Sequence, residues 1–229
     1  MTPHPTITHI IFDLDGLLLN TEPLIFEVAT AIAHQYSKSL DESIRLKTAG
    51  INGHDSARVI IEHLDLPITV DTYLEHKAVL IETFYPRAEP MSGAVALTKY
   101  LQHHDIPHAV ATSSSRRPFQ LKTSTHTQWF RQFSCVITGD DPDIQQGKPA
   151  PDIFLIAAHR MGVSPDQCLV FEDSLAGVKA GKAAGMTVIA VPDPMFDAVL
   201  YHEADQILAS LTDFSPTEWG LPHVPIDIQ

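Results

Sequence analysis

Residues 8–16 read THIIFDLDG, an apolar, β-branched run that breaks off at two carboxylates, Asp13 and Asp15, with Gly16 supplying a turn behind them. The run is the length of a strand and too short for a helix, so it reads as a buried strand that delivers an acidic loop at its carboxyl end. Beyond that loop the period changes. Apolar residues recur at helical spacing in LIFEVATAIAHQY (24–36), ARVIIEHL (57–64) and YLEHKAVLIETF (73–84), separated by polar turns such as AGINGHDS (49–56). After EPMSG (89–93) helices and strands alternate. AVALTKYLQHH (94–104), RPFQLKTSTH (117–126), PDIFLIAAHRMG (151–162) and AGVKAGKAAG (176–185) read as helices, the last two closed by Gly162 and Gly185. PHAVATS (107–113), SCVITGD (134–140), QCLVFEDS (167–174) and MTVIAVP (186–192) read as the strands between and after them.

This succession predicts an α/β fold, a doubly wound, Rossmann-like parallel sheet with helices on both faces. The expected boundaries are 1–20 and 88–229 for the α/β core and 21–87 for an inserted small α-helical cap domain. The Pro-rich tail SPTEWGLPHVPIDIQ (215–229) reads as irregular. Sheets of this kind bind ligands at the carboxyl ends of their strands, near the switch in strand order.

At 229 residues there is room for one core and an inserted unit, and 44% hydrophobic against 19% charged residues suffices to fold it. The net charge of −13, with no Lys/Arg cluster, repels a phosphate backbone and excludes a nucleic acid polymer as partner. A small phosphorylated metabolite is compatible, because one lysine and one cation reverse the field inside a pocket. Cys135 and Cys168 sit in apolar strands and read as buried thiols. The start MTPHPTITHI is no signal peptide and no run approaches the roughly 18 apolar residues of a membrane span, so a cytoplasmic protein without membrane contact is expected, as a monomer or weak homo-oligomer. Among the 13 histidines, His4, His9, His34, His103, His104 and His126 lack ligand spacing and read as solvated surface.

Four strand ends carry the polar residues: Asp13 and Asp15, then Thr112-Ser113-Ser114, then Gly139-Asp140-Asp141 leading to Lys148, then Glu172 and Asp173. Carboxylates gathered in one cleft raise one another's pKa unless they share a cation, and a hard, oxygen-seeking Mg²⁺ is the simplest reconciliation. The candidate metal residues are Asp13, Asp173, Glu172 and the main-chain carbonyl of Asp15. Asp13 is the candidate nucleophile and Asp15 the candidate general acid and base. Leu14, Thr112, Ser113 and Lys148 are the candidate phosphate-binding residues, Thr112 standing where a helix opens. Thr112 also reads as a helix cap, Asp140 and Asp141 as orienters of Lys148 or as caps, and Glu172 as a support for Asp173. Asn52, His54 and Lys77 are candidate contacts to a leaving group.

FDLDGLLLNTE (12–22), VATSS (110–114), GKPAPDIF (147–154) and VFEDS (170–174) resemble the four ordered motifs of the haloacid dehalogenase superfamily of phosphohydrolases. The resemblance spans the chain. It implies Asp13 as nucleophile, Asp15 as acid/base, Thr112 and Lys148 as phosphate ligands, Asp173 with Glu172 at the metal, and a helical cap that reads the leaving group. HIIFDLDGLL (9–18), IPHAVATSS (106–114), VITGDDPDIQQGKPAPDIFL (136–155), CLVFEDSLAGVKAGKAAGM (168–186) and DFSPTEWGLP (213–222) are similar to the branch that holds the pseudouridine-5'-phosphatases. Asn20 departs from the Asp that many members carry and bears on cap closure. The neighbouring β-phosphoglucomutase branch carries an arginine and a histidine where this chain has Gly53 and Ile25, so a phosphomutase is the alternative, and a phosphatase the expectation.

Overall fold

The computed structural model describes residues 6–48 and 53–223; His4 and Asn52 lie outside the described residues. The chain runs through β1 (His9–Phe12), β2 (Leu19–Asn20), α1 (Glu22–Gln35), α2 (Ser43–Thr48), α3 (Gly53–Leu64), α4 (Val70–Phe84) and β3 (Glu89–Pro90). It continues through α5 (Ala94–His103), β4 (His108–Thr112), α6 (Arg116–Lys122), α7 (Thr127–Phe130), β5 (Cys135–Thr138), α8 (Asp152–Met161), β6 (Cys168–Glu172), α9 (Leu175–Ala183), β7 (Thr187–Ala190) and β8 (Gln206–Ile207).

Six strands form one sheet in the order β5-β4-β1-β6-β7-β8, each pair of neighbours parallel. The apolar strands explain this burial. β4, β6 and β7 are covered along their whole length, as parallel strands with helices on both faces must be. One face packs Ile10, Phe12, Leu169 and Phe171 in the same apolar cluster as Val28, Ile60 and Ile81 of the inserted helices; the other packs Ile11, Val170 and Val188 against Phe154 of α8 and Val178 of α9. Phe171 stacks on Phe12 at 5.1 Å between centroids and meets Phe214 edge-on at 4.9 Å.

β1 lies between β4 and β6, with Phe12 level with Val110 and Phe171. The order of connection reverses around β1, so the carboxyl ends of these three strands open into the crevice where such sheets hold ligands. Helices α1 to α4 fall between β2 and β3, a two-residue antiparallel ribbon pairing Leu19 with Pro90 and Asn20 with Glu89. The ribbon sets the outgoing and returning chain side by side, and Asn20 is exposed on it.

Several details depart from the sequence expectation. β2, β3 and β8 have two residues each and α7 four, too short to show a period, and α2 lies between the helical runs that the sequence pattern marks. Cys168 is buried but Cys135 only half-buried. His34 and His103 are exposed as expected, whereas His104 is half-buried with its Nε2 shielded, and His126 shares a 2.7 Å hydrogen bond with the Ala88 carbonyl. Among the described residues no helix is long and apolar enough to cross a membrane.

The loop from β5 toward Lys148 is anchored by Asp141, buried and bound at both oxygens by the Arg160 guanidinium of α8, each bond 2.8 Å. These bonds hold the Asp141 carboxyl below the usual carboxylate range. A depressed native pKa adds stability that is present above the unfolded value near 4 and lost as pH falls through the native one. Arg160→Met is therefore expected to cost about 1.5 kcal/mol at pH 7 in urea unfolding, at the lower end because Arg160 is partly exposed, and the deficit should shrink below about pH 4. A deficit that does not change with pH would count against this anchor.

Candidate active site

Asp13 follows β1 directly, and its N–H donates to the Phe171 carbonyl at 3.0 Å, fixing the loop to β6. Lys148 meets it from the β5 side. The Lys148 Nζ donates to Asp13 Oδ1 at 2.6 Å, to Glu172 Oε1 at 2.5 Å and to the Ala111 carbonyl at 3.1 Å, using its three donors from a nearly sealed position. Glu172, with no exposure, also accepts from the Ser174 N–H and hydroxyl at 3.0 and 2.9 Å. The Ser174 hydroxyl in turn accepts from the Gly177 N–H at 3.1 Å and caps α9.

Charge does not balance in this cluster. Burial pushes the Asp13 carboxyl up to about 7, with Glu172 and Asp15 adding to the rise and Lys148 opposing it. Burial, then Asp13 and Glu172, also raise Asp173 well above the carboxylate range. Burial by itself would lower Lys148, but Asp13 and Glu172 outweigh it and hold the ammonium charged. Three acids thus share one cation, a set that a hard divalent ion would complete. Among the described residues no three His, Cys, Asp or Glu side chains already form a metal cage. Mg²⁺ does not require one, since it takes one or two carboxylates together with water and phosphate oxygens. The loop after β1 is also shaped around Asp173: Gly16 has φ +82°, and a Cβ there would lie 2.3 Å from Asp173 Oδ2.

Asp15 belongs to a second cluster. Its Oδ1 accepts from Lys122 Nζ at 2.6 Å and the Thr21 hydroxyl at 2.8 Å, its Oδ2 from the Ser114 hydroxyl at 2.7 Å and the Thr112 hydroxyl at 3.3 Å. Burial would raise this carboxyl, yet Lys122, Ser114 and Thr21 outweigh burial and hold it below the usual range. Thr21 stands at the N-cap position of α1 without capping it, its hydroxyl being spent on Asp15.

The strand-end residues are therefore brought together, with distinctions among them. Asp13, Asp15, Ser113, Lys148 and Asp173 line one cleft of about 570 Å³ between the sheet edge and the inserted helices. Thr112 is fully buried, its hydroxyl on Asp15 and accepting from the Ser114 N–H at 3.0 Å. Leu14 buries its side chain, and its carbonyl accepts from the Leu18 and Leu19 N–H groups. Asp140 accepts from the Arg116 N–H at 2.9 Å and so caps α6, the role considered for Thr112. Asp141 is engaged with Arg160.

On the helical side the cleft reaches Glu22, Ile25, Gly53, His54 and Lys77. Lys77 has no hydrogen-bond or ion-pair partner among the described residues, and burial followed by Lys122 lowers its pKa. Burial and then Asp15 raise Glu22. Lys122 and Glu22 were absent from the sequence candidates. The available signal for Lys122 was a lysine on the buried face of an otherwise amphipathic helix.

A doubly wound parallel sheet thus presents carboxyl groups and one buried lysine together at the ends of β1 and β6 and in the loop after β5. Residues 10–191 match the haloacid dehalogenase-like hydrolase family, and the chain belongs to it. It is 42% identical over 222 residues to (DL)-glycerol-3-phosphatase 2 of Arabidopsis thaliana, covering 95% of this chain and 92% of that one. It is 41% identical over 219 residues to the Drosophila melanogaster protein named "Probable pseudouridine-5'-phosphatase", covering 94% and 95%. Among solved structures, the family IA, variant 3 hydrolase of Entamoeba histolytica superposes with a TM-score of 0.79 at 26% identity, over 93% of this chain and 97% of the other.

The support beneath Glu172 is tight, since a Cβ on Gly177 would fall 1.8 Å from its Oε1. Gly177→Ala must displace the carboxylate that seats Lys148. Because displacements near 1 Å in such sites cost about 100-fold, the variant should lose about that factor in kcat/KM while remaining folded by circular dichroism. Full activity would show that Glu172 does not set the position of Lys148.

Proposed function

We propose that the chain is a Mg²⁺-dependent phosphatase that hydrolyses a small phosphomonoester through an aspartyl phosphate on Asp13. The observation that carries this reading is the meeting at one sheet edge of a buried acid 2.6 Å from a buried lysine, with two further acids behind them and a second acid two residues along the same loop. Asp13 and Asp173, with the main-chain carbonyl of Asp15 and Glu172 behind them, would hold Mg²⁺. The ion supplies charge neutralisation, returning Asp13 to the carboxylate form and drawing in the phosphate.

In the first half-reaction an Asp13 oxygen bonds to phosphorus as the bond to the leaving oxygen breaks, and Asp15 gives that oxygen its proton. In the second, water attacks the same phosphorus, passes a proton to Asp15 and releases Asp13, so that ester and water become alcohol and phosphate. The Leu14 N–H and the Ser113 backbone receive the phosphoryl oxygens, joined by Lys148 when it gives up one of its three present bonds, while Thr112 acts through Asp15 and Ser114. Residues 21–87 serve as a cap over a core of 1–20 and 88–229, and Glu22, Ile25, His54 and Lys77 face the leaving group.

The leaving group is a small, hydroxyl-rich alcohol, of the kind released from glycerol 3-phosphate or pseudouridine 5'-phosphate, on which relatives at 42% and 41% identity are named as acting. Gly53 and Ile25 leave no arginine or histidine at those positions in the cleft, which supports release to water over transfer to a second sugar oxygen. The free thiols of Cys135 and Cys168 agree with a reducing compartment such as the cytoplasm.

Asp13→Asn should lower phosphate release by at least about 10⁴-fold without lowering the unfolding midpoint; normal turnover in this variant ends the proposal. On β-glucose 1-phosphate, a coupled assay should register phosphate release and no glucose 6-phosphate. Faster isomerisation than release would make the enzyme a phosphomutase.

A further inference from the structure

Lys122, the last residue of α6, is 2% exposed and has three neighbours of different origin. Its ammonium donates to Asp15 Oδ1 at 2.6 Å and to the Ser114 hydroxyl at 2.8 Å, and lies 4.7 Å from the ring centroid of Tyr85. Tyr85 is itself buried and stands on the segment that returns from α4 to the core. The outgoing segment contributes Thr21, which donates to the same Asp15 oxygen as Lys122. Asp15 is thus gripped from both connections of the inserted helices, directly through Thr21 and through Lys122 from Tyr85.

Resting on the phosphatase reading above, we propose that Lys122 is a positioning residue for Asp15, fixing the carboxyl group that protonates the leaving oxygen and tying its place to the return connection through Tyr85. An ammonium is suited to this seat, with two donors for oxygen acceptors and its charge over a ring face. A carboxylate without this partner keeps only hydroxyl donors and gains freedom about its side-chain torsions, while Asp13 and Lys148 keep all their contacts. In the ester-bound site the negative phosphate beside Asp15 favours its protonated form, and that proton passes to the alkoxide as the phosphorus–oxygen bond breaks, so a misplaced Asp15 slows only the departure of an oxygen that needs a proton.

Two esters separate this role from a structural one. Glycerol 3-phosphate releases an alkoxide that must be protonated, whereas p-nitrophenyl phosphate releases a phenolate that leaves without help. The ratio kcat/KM reports the steps through leaving-group departure in both cases. In Lys122→Met, kcat/KM should fall at least about 30-fold on glycerol 3-phosphate and less than about 5-fold on p-nitrophenyl phosphate, within the 10²- to 10⁴-fold that general acids contribute. Lys122→Arg keeps the charge with a wider head and should show the same selective loss, reduced in size; it also decides the matter where the Met variant fails to fold. Equal losses on the two esters, or no selective loss in the folded variants, overturn the proposal and leave the phosphatase reading intact. Failure of that reading is seen separately, as turnover retained by Asp13→Asn.

Discussion

Two buried carboxyl groups paired with one buried ammonium, and a half-buried third beside them, form the constraint on which the rest of the structure depends. Asp13, Glu172 and Asp173 come from β1 and β6, and Lys148 from the loop after β5, so none of them is near the lysine in sequence. Each charge removed from water carries a penalty of several kcal/mol that only close, well-aligned partners offset. The surrounding fold supplies that alignment. Parallel pairing of β1 with β6 sets Asp13 and Glu172 at adjoining strand ends, Arg160 fixes the loop that carries Lys148, and two glycines let neighbouring backbone approach the carboxylates. The remaining excess of negative charge favours a cation, which would in turn offset the charge of an incoming phosphate.

The two acids of the first loop are two residues apart yet serve different lysines. Asp13 is paired with Lys148 and raised by burial, while Asp15 is paired with Lys122 and lowered. Without cation or ester these directions are the reverse of the proposed roles; a cation beside Asp13 would bring it back to the carboxylate, and the negative charge of a bound phosphate ester beside Asp15 would favour its protonated form. Separate partners also let the two be tuned independently, one from the sheet and one from the connections of the helical insertion.

The sheet and the strand-end acids were legible in the sequence because both depend on local pattern. THIIF and QCLVFEDS are continuous apolar runs ending in acids, and a parallel sheet makes every such end a neighbour of the others. Lys122, Glu22 and the Asp141–Arg160 pair were not legible, because each acquires its meaning from a partner far along the chain: 107 residues in the case of Lys122 and Asp15. Thr112 illustrates the same limit. Its position at the end of β4 was readable, but whether its hydroxyl faces the cleft or the Asp15 cluster depends on Asp15, Ser114 and Thr21 at once. The two-residue ribbon of β2 and β3 had no periodic signal, although it brings the ends of the insertion together.

The helical insertion is joined to the core by contacts of unequal strength. Near the connections it shares an apolar cluster with the sheet, through Leu24, Val28 and Ile81 against Leu17, Leu18 and Leu19. Around the mouth of the cleft the links are ionic: Arg117 of α6 with Glu82 of α4, and Arg45 of α2 with Asp193. The first pair is more than two-fifths exposed on both sides, and exposed pairs contribute about 0–1 kcal/mol. Separating the mouth while the connections stay packed therefore costs little, and re-forming it buries the acids again. On the proposed reading, that asymmetry would let the site admit an ester from water and then shield it. The two connections carry Thr21 and Tyr85, which reach Asp15 directly and through Lys122, whereas Asp13 is fixed to β6 by its N–H, so any displacement of the insertion would be felt by Asp15 before Asp13.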